Sequence, residues 1–343
     1  MAALVQINNM LDLAAIIQDK FYTYYPEFAE EHIDVKGTLL RKWHRSDIYR
    51  FDVHNTKDIL KSLIVKQRIH NKFYNNHIVE NTQHEYTILK ELNNTPNFSV
   101  SVPKVLDSIP EKALLITEKV EGESLYSYLK RISYLPITES RKAHIKQMFA
   151  KIGKWLREFH DISFEGKKEK INTQEFIKKA EEIVEKFPSI GIPIDQGKAL
   201  IDKMKSLEKE TASYTFPVVL KHGDFQPMNI IFQGDNLIVL DISAKTKDIA
   251  IKDVCNFITG SSTFDVKLLY SFCSKEIMDD STNVFITAYF TGEKTPNVAV
   301  EFVKILGILE SLNSVYSRNT SNFKRRIITH YYINKIKRFR SNR

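Results

Sequence analysis

Residues 218–241 read Val218-Val219-Leu220-Lys221-His222-Gly223-Asp224-Phe225-Gln226-Pro227-Met228-Asn229 and then Ile230-Ile231-Phe232-Gln233-Gly234-Asp235-Asn236-Leu237-Ile238-Val239-Leu240-Asp241. The segment contains H-G-D-x-x-x-x-N. Two apolar runs separated by Gly-Asp-Asn predict a β-hairpin. A turn centred on Asp235 leaves Asn229 and Asp241 each six residues away, at the same open end. Cross-strand Cα atoms in such a ladder stand about 4.5–5.5 Å apart, so an amide oxygen and a carboxylate there could share a hard cation. Asp224 is tethered just before them by a loop stiffened at Pro227. Phosphoryl transfer asks for this set: Asp224 to orient an acceptor hydroxyl and take its proton, and Asn229 and Asp241 to hold magnesium against phosphates. Magnesium suits the sparse site because it binds through one or two carboxylates plus substrate phosphates and keeps its waters. Either piece alone is an ordinary turn or strand end. The combination is what points to chemistry.

A kinase needs two further residues upstream, a strand lysine for the phosphates and a helical glutamate to orient it. Leu63-Ile64-Val65-Lys66 supplies the first, and Glu85, on the segment that follows, supplies the second. Lys61 and Glu80 fit the same roles from sequence alone, and solvated surface charge is the commoner fate of any of the four.

The elements that must position these residues can be read along the chain. Thr38–Trp43, Ile48–Val53 and Ile59–Lys66 predict an antiparallel meander turned by His54, Asn55, Thr56 and Lys57. A helix is expected over Val79–Leu92, stopped by Asn93, Asn94 and Pro96, then strands at Lys104–Asp107 and Ala113–Thr117. Glu121-Gly122-Glu123 reads as a hinge between lobes. Ile145, Phe149, Ile152, Leu156 and Phe159 draw one apolar stripe on a long helix. Residues 173–212 predict one or two helices, broken at Pro188 and the Gly191–Pro193 turn.

This arrangement resembles the aminoglycoside phosphotransferase and choline kinase family, the small-molecule branch of the protein-kinase-like fold. The resemblance covers residues 38–260. It includes the lysine strand, the glutamate helix, Leu114-Leu115-Ile116-Thr117-Glu118-Lys119-Val120-Glu121-Gly122-Glu123-Ser124-Leu125 in the place of the hinge, and Ile152-Gly153-Lys154-Trp155-Leu156-Arg157-Glu158-Phe159-His160 as a helix ending in Phe-His. It implies an α+β, two-lobed fold, with an antiparallel-sheet lobe over residues 1–119 and a mostly helical lobe carrying the hairpin over 120–343. It also implies an ATP site with adenine against the backbone of Glu118, Lys119 and Val120, and an acceptor bound by the helical lobe. Asp253 matches a family aspartate that braces the catalytic loop, and a surface aspartate is the competing reading. His160 and His222 are expected to be structural.

One departure concerns the loop that covers the phosphates. No glycine occurs between Gly37 and Gly122, and the matching turn is Trp43-His44-Arg45-Ser46-Asp47-Ile48-Tyr49. Backbone amides could still bind phosphate there, and Ser46 or Arg45 could supply a donor, although side chains with Cβ atoms limit how closely the backbone approaches. This keeps open a second reading, a nucleotide-binding scaffold of little or no activity. Intact Asp224, Asn229 and Asp241 argue for the enzyme.

Composition excludes other classes. The chain has 343 residues, 43% hydrophobic and 27% charged, with 21 Phe and 15 Tyr, so a folded protein with an aromatic-rich core is expected. Two cysteines, Cys255 and Cys273, build neither a disulfide framework nor a thiolate zinc site, and the N-terminal residues lack a secretory pattern. A reduced, cytoplasmic protein is expected. The longest apolar candidate, Val298–Leu312, is interrupted by Glu301, Lys304 and Glu310. Gly191–Ala199 fails as a phosphate-binding Walker loop on spacing and on its final residue, and no dinucleotide fingerprint or G-x-S-x-G elbow occurs.

The net charge of +8 is concentrated: residues 311–343 carry nine basic groups and no acid. A packed terminal helix, contact with an anionic membrane and contact with nucleic acid compete for this tail, nucleic acid being the least favoured. From Ile242 onward there are 16 basic and nine acidic groups. A positive acceptor lobe favours a neutral or anionic hydroxyl compound, such as a sugar or sugar conjugate, over a polycationic aminoglycoside.

Overall fold

The protein is described from a computed structural model, over residues 10–43, 45–69, 77–95, 101–136, 138–190, 192–242, 246–268 and 275–317. The basic tail from Arg318, Cys273, His44 and Gly191 lie outside the described residues. In chain order the elements are α1 (Met10–Tyr24), β1 (Asp34–Lys42), β2 (Ser46–His54), β3 (Ile59–Arg68), α2 (Ile78–Asn94), β4 (Val105–Ile109), β5 (Leu114–Glu118), β6 (Glu123–Ser124), α3 (Leu125–Ile132), α4 (Glu139–Ser163) and β7 (Lys168–Lys170). There follow α5 (Thr173–Val184), α6 (Ile194–Thr211), β8 (Thr215–Leu220), β9 (Ile230–Gln233), β10 (Asn236–Val239), β11 (Lys247–Ile249), α7 (Ile251–Leu268), α8 (Lys275–Tyr289) and α9 (Asn297–Ser317). The chain forms two compact units, one of residues 1–123 and 231–245, the other of 124–230 and 246–343.

The first unit is built on an antiparallel sheet in the order β1-β2-β3-β5-β4. The expected meander is present, and β1 begins four residues earlier than its sequence suggests. Alternation along β3 decides the two faces. Leu63 and Val65 point into a core with Phe51, Val53, Leu114 and Ile116, closed by Leu13, Ile17, Phe21 and Tyr25 from α1 and its exit. Ile64, Lys66 and Arg68 take the opposite face. The α2 stripe of Ile78, Thr82, Glu85, Leu89 and Leu92 is buried, so one carboxylate sits among its apolar neighbours. Gly122, at φ +124°, follows β5 where an added Cβ would strike the Phe232 carbonyl. Only glycine meets both conditions.

The second unit is mainly helical. The predicted stripe is the buried face of α4, where Ile145, Phe149, Ile152, Leu156 and Phe159 are joined by Met148 and Trp155. Thr138 caps the helix by accepting from the Arg141 amide at 3.3 Å. Between α5 and α6 the predicted break at Pro188 is present as a short turn at Pro188–Ile190. A small antiparallel sheet, β11-β8-β7, stands beside the helices. Among the described residues no helix is long and apolar enough to cross a membrane.

Helices α4 and α8 approach so closely that a Cβ on Gly153 would collide with the Phe285 carbonyl and crowd Ala288 and the Tyr289 amide. In an exposed helix, Gly→Ala gains about 1 kcal/mol; here the overpacking should win. Gly153→Ala is expected to destabilise the chain by about 1–3 kcal/mol, read as a lower urea midpoint, and a raised midpoint would contradict this packing.

Candidate active site

In the first unit, Lys66 lies on the face of β3 opposite α1, and its side chain is 15% exposed. Its ammonium donates to both carboxylate oxygens of Glu85, at 2.9 and 3.0 Å, and to Asp241 Oδ1 at 2.7 Å. Burial works against this ammonium, but Asp241 and Glu85 outweigh it and hold the lysine above its ordinary pKa. Arg68, two residues on and therefore on the same face, adds a guanidinium bond to Glu85 Oε2 at 2.5 Å. Asp241 sits at φ +58°, a left-handed conformation that aspartate tolerates better than most residues. It lies two residues beyond the end of the hairpin's second strand, and its side chain is 45% exposed.

The sequence alternatives separate on the same alternation. Lys61 is on the α1 face, 4.8 Å above the Tyr25 ring, and Glu80 is an exposed partner of His77. The buried position of Glu85 in the α2 stripe is the signal that distinguishes it from Glu80.

In the second unit the H-G-D-x-x-x-x-N loop is fastened from beneath. Asp253, fully buried on α7, accepts from the His222 amide and, at 3.0 Å, from the Gly223 amide. Its other neighbour is His160 Nε2 at 3.2 Å. A carboxylate can only accept, so the proton lies on Nε2 and the Tyr289 hydroxyl donates to Nδ1 at 2.8 Å. Burial favours the neutral acid, yet the His160 bond and the charge and amide of the His222 region hold Asp253 below the usual carboxylate range. Asp253 thus has the bracing place expected of it, and both histidines are buried structural partners.

The loop is also anchored by an aromatic side chain. Phe225 is fully buried and stacks on Trp155, with centroids 5.7 Å apart and planes at 12°, while Trp155 stacks in turn on Phe159. Asp224, next to this anchor, is exposed. Asn229 donates through Nδ2 to Asp224 Oδ2 at 3.0 Å, and Gln226 donates through Nε2 to Asp224 Oδ1. An amide whose nitrogen faces a carboxylate turns its carbonyl oxygen the other way, and for Asn229 that oxygen is a hard ligand of the kind magnesium takes. Among the described residues no group of three or more His, Cys, Asp or Glu side chains could hold a metal by itself. Phe225 and Gln226 carry weight that motif reading did not assign to them.

The remaining expected residues are spread over the first unit. Glu118 ends β5; its amide donates to the Lys104 carbonyl and the Lys119 amide to the Ser62 carbonyl, each at 2.9 Å. The Glu118 carboxylate is turned to Tyr25 and Lys104. Val120 follows, half-buried. Ser46 opens β2, where its carbonyl accepts from the Trp43 amide at 3.1 Å.

Residues 133–330, more than half of the chain, match the family model for choline/ethanolamine kinase. The chain belongs to this family. As a choline/ethanolamine kinase family member it is a small-molecule kinase, a phosphotransferase with an alcohol group as acceptor. Its fold is the kinase-like one expected from the motifs. It is similar to the choline kinase of Cryptosporidium parvum Iowa II at 15% identity and a TM-score of 0.56, covering 97% of each chain. It is similar to choline kinase LicA of Streptococcus pneumoniae at 16% identity and a TM-score of 0.51, covering 95% of this chain and 99% of that one. Aminoglycoside phosphotransferase APH(2'')-Ib, in an ADP-bound structure, gives 15% and 0.53, with 93% and 96% covered. No curated protein sequence matches the chain.

Asp253→Asn would remove a charge that two backbone amides and a histidine are arranged around and leave a buried amide group with a donor too many. A loss of about 3–5 kcal/mol is expected. The folded pKa lies below the unfolded value of about 3.9, so the charge stabilises fully above that value and less as pH falls through the depressed one. Urea titrations across this acid range should show the parent losing stability more steeply than the variant; parallel acid limbs would contradict the assignment.

Proposed function

We propose that the chain transfers the γ-phosphate of ATP, with a divalent cation, to the hydroxyl of a small molecule. The observation that carries this reading is Lys66 held between Glu85 and Asp241, the lysine, glutamate and aspartate that nucleotide phosphates require. Asp224 is the general base: the acceptor oxygen forms its bond to phosphorus, the bond to the ADP oxygen breaks, and the hydroxyl proton passes to the Asp224 carboxylate. Asn229 and Gln226 orient that carboxylate through their amides. Asn229 and Asp241 are the ligands for magnesium, which would supply charge neutralisation on the phosphates. Adenine lies against the backbone of Glu118, Lys119 and Val120. The first two amides are used by the backbone of Lys104 and Ser62, so Val120 is the one we assign to the base. Ser46 and Arg45 face the phosphates in place of a glycine loop.

The acceptor depends on how charge is counted. The positive surplus after Ile242 comes from the tail; residues 242–317 alone hold seven basic and nine acidic groups. Without the tail, nothing in this balance repels a cation, and the family match favours an amino alcohol. With the tail beside the acceptor, a sugar or sugar conjugate is favoured.

Transfer from ATP to ethanolamine, choline and a panel of sugars tests this. Asp224→Asn should lower kcat by about 10²–10⁴-fold while ADP affinity is retained. Asp241→Ala should also weaken magnesium-nucleotide binding. Full activity in either variant would refute the assigned roles.

We further propose that the enzyme is cytoplasmic and that residues 318–343 dock it on an anionic membrane surface, at roughly 1 kcal/mol per exposed basic side chain. Neutralising Lys335, Lys337, Arg338 and Arg340 should reduce sedimentation with phosphatidylserine vesicles at low salt. Unchanged sedimentation would refute the docking.

A further inference from the structure

The N-terminal helix reaches the end of β5 through one side chain. Tyr25, the residue after α1, is 2% exposed. Its ring packs on Phe21, with centroids 5.1 Å apart, and lies beneath two ammonium groups, Lys61 at 4.8 Å and Lys104 at 5.5 Å. Its hydroxyl donates to Glu118 Oε1 at 2.8 Å. Lys104 donates to the same oxygen at 2.9 Å, and the Lys104 carbonyl accepts the amide of Glu118 itself. Glu118 is therefore fixed at both backbone and side chain. Partial burial opposes the charged form, but the Lys104 and Tyr25 bonds keep its carboxyl below the usual range. Two residues further on is Val120, reached through Lys119, whose amide is pinned to Ser62.

We infer that Tyr25 is a positioning residue for the nucleotide: through Glu118 it sets the path of the backbone at Val120, so that α1 tunes ATP affinity. This rests on the reading that adenine binds at Glu118–Val120. Sequence gave no hint of it, because the two partners are 93 positions apart.

The neighbouring tyrosine provides an internal control. Tyr24 donates to Asp107 Oδ2 at 2.9 Å, a bond of the same kind from the same helix end, and Asp107 is also held by Lys20. Asp107 lies on β4, at the sheet edge, and does not lead into Val120. Both hydroxyls should contribute to stability. Only one should contribute to nucleotide binding.

The test is calorimetric titration of the full chain with ADP and magnesium chloride, for the parent, Tyr25→Phe and Tyr24→Phe, with thermal melts alongside. Phenylalanine preserves the buried ring, so both variants should fold with modestly lowered melting temperatures. Tyr25→Phe should weaken ADP binding about 3–10-fold, the scale of one ordinary net hydrogen bond, whereas Tyr24→Phe should stay within twofold of the parent. In turnover assays with whichever acceptor the parent uses, Tyr25→Phe should raise the KM for ATP and leave kcat within twofold. A parent that binds no ADP overturns the nucleotide reading and this inference with it. A parent that binds ADP while Tyr25→Phe matches it, or while Tyr24→Phe is weakened equally, overturns the inference and leaves the nucleotide reading in place.

Discussion

A charge taken out of water must be met by other charges or by hydrogen bonds, and this constraint organises both units of the chain. Lys66 could not be buried on the sheet unless Glu85 and Asp241 reached it. Glu85 in turn sits on the buried stripe of α2 and is tolerated there because Lys66 and Arg68 supply cations from adjacent same-face positions of β3. Asp253 obeys the same rule with opposite sign: two backbone amides and a histidine surround it. Each cluster exacts a folding penalty if one member is lost, and each fixes backbone whose position matters for chemistry. Lys66 ties a strand and a helix to Asp241, two residues beyond the hairpin, while Asp253 ties α7 to the loop that carries Asp224.

Much of this was legible because it repeats with the period of the backbone. Lys66 and Glu85 were legible as candidates, and only the faces seen in the structure, alternation along β3 and the buried α2 stripe, separate them from Lys61 and Glu80. The hairpin was marked by its turn chemistry, and the α4 stripe by its spacing. What was not legible lacks any period. β7 is Lys168-Glu169-Lys170, exposed throughout, and offers no apolar pattern to read. β1 begins early because Val35 and Gly37 alternate inward on an edge strand otherwise made of exposed residues. The bond from Tyr25 to Glu118 depends on the α1 core packing against the sheet, a tertiary fact that neither residue announces. Phe225 looked like one more member of an aromatic-rich chain, and only its stack with Trp155 and Phe159 marks it as the anchor of the loop.

The turn between β1 and β2 shows how the missing glycines are accommodated. Its bonds come from neighbouring backbone: the Trp43 amide to the Ser46 carbonyl at 3.1 Å, and the Ile69 amide to the Arg45 carbonyl at 3.0 Å. Arg41 covers the Trp43 ring at 4.0 Å, which adds a stacked cation–π contact to the same segment. A glycine loop gains close approach to phosphate at the expense of order, because glycine loses the most freedom on folding. A turn of Trp, Arg and Ser starts more constrained, and on the proposed function its side chains, whose reach exceeds that of a backbone amide, would meet the phosphates. Arginine suits that task, since its planar fork pairs with phosphate oxygens two at a time. On the proposed function, the absence of glycine would change which atoms meet the phosphates without removing the means to do so, and it weighs less against catalysis than the intact Asp224, Asn229 and Asp241 weigh in favour of it.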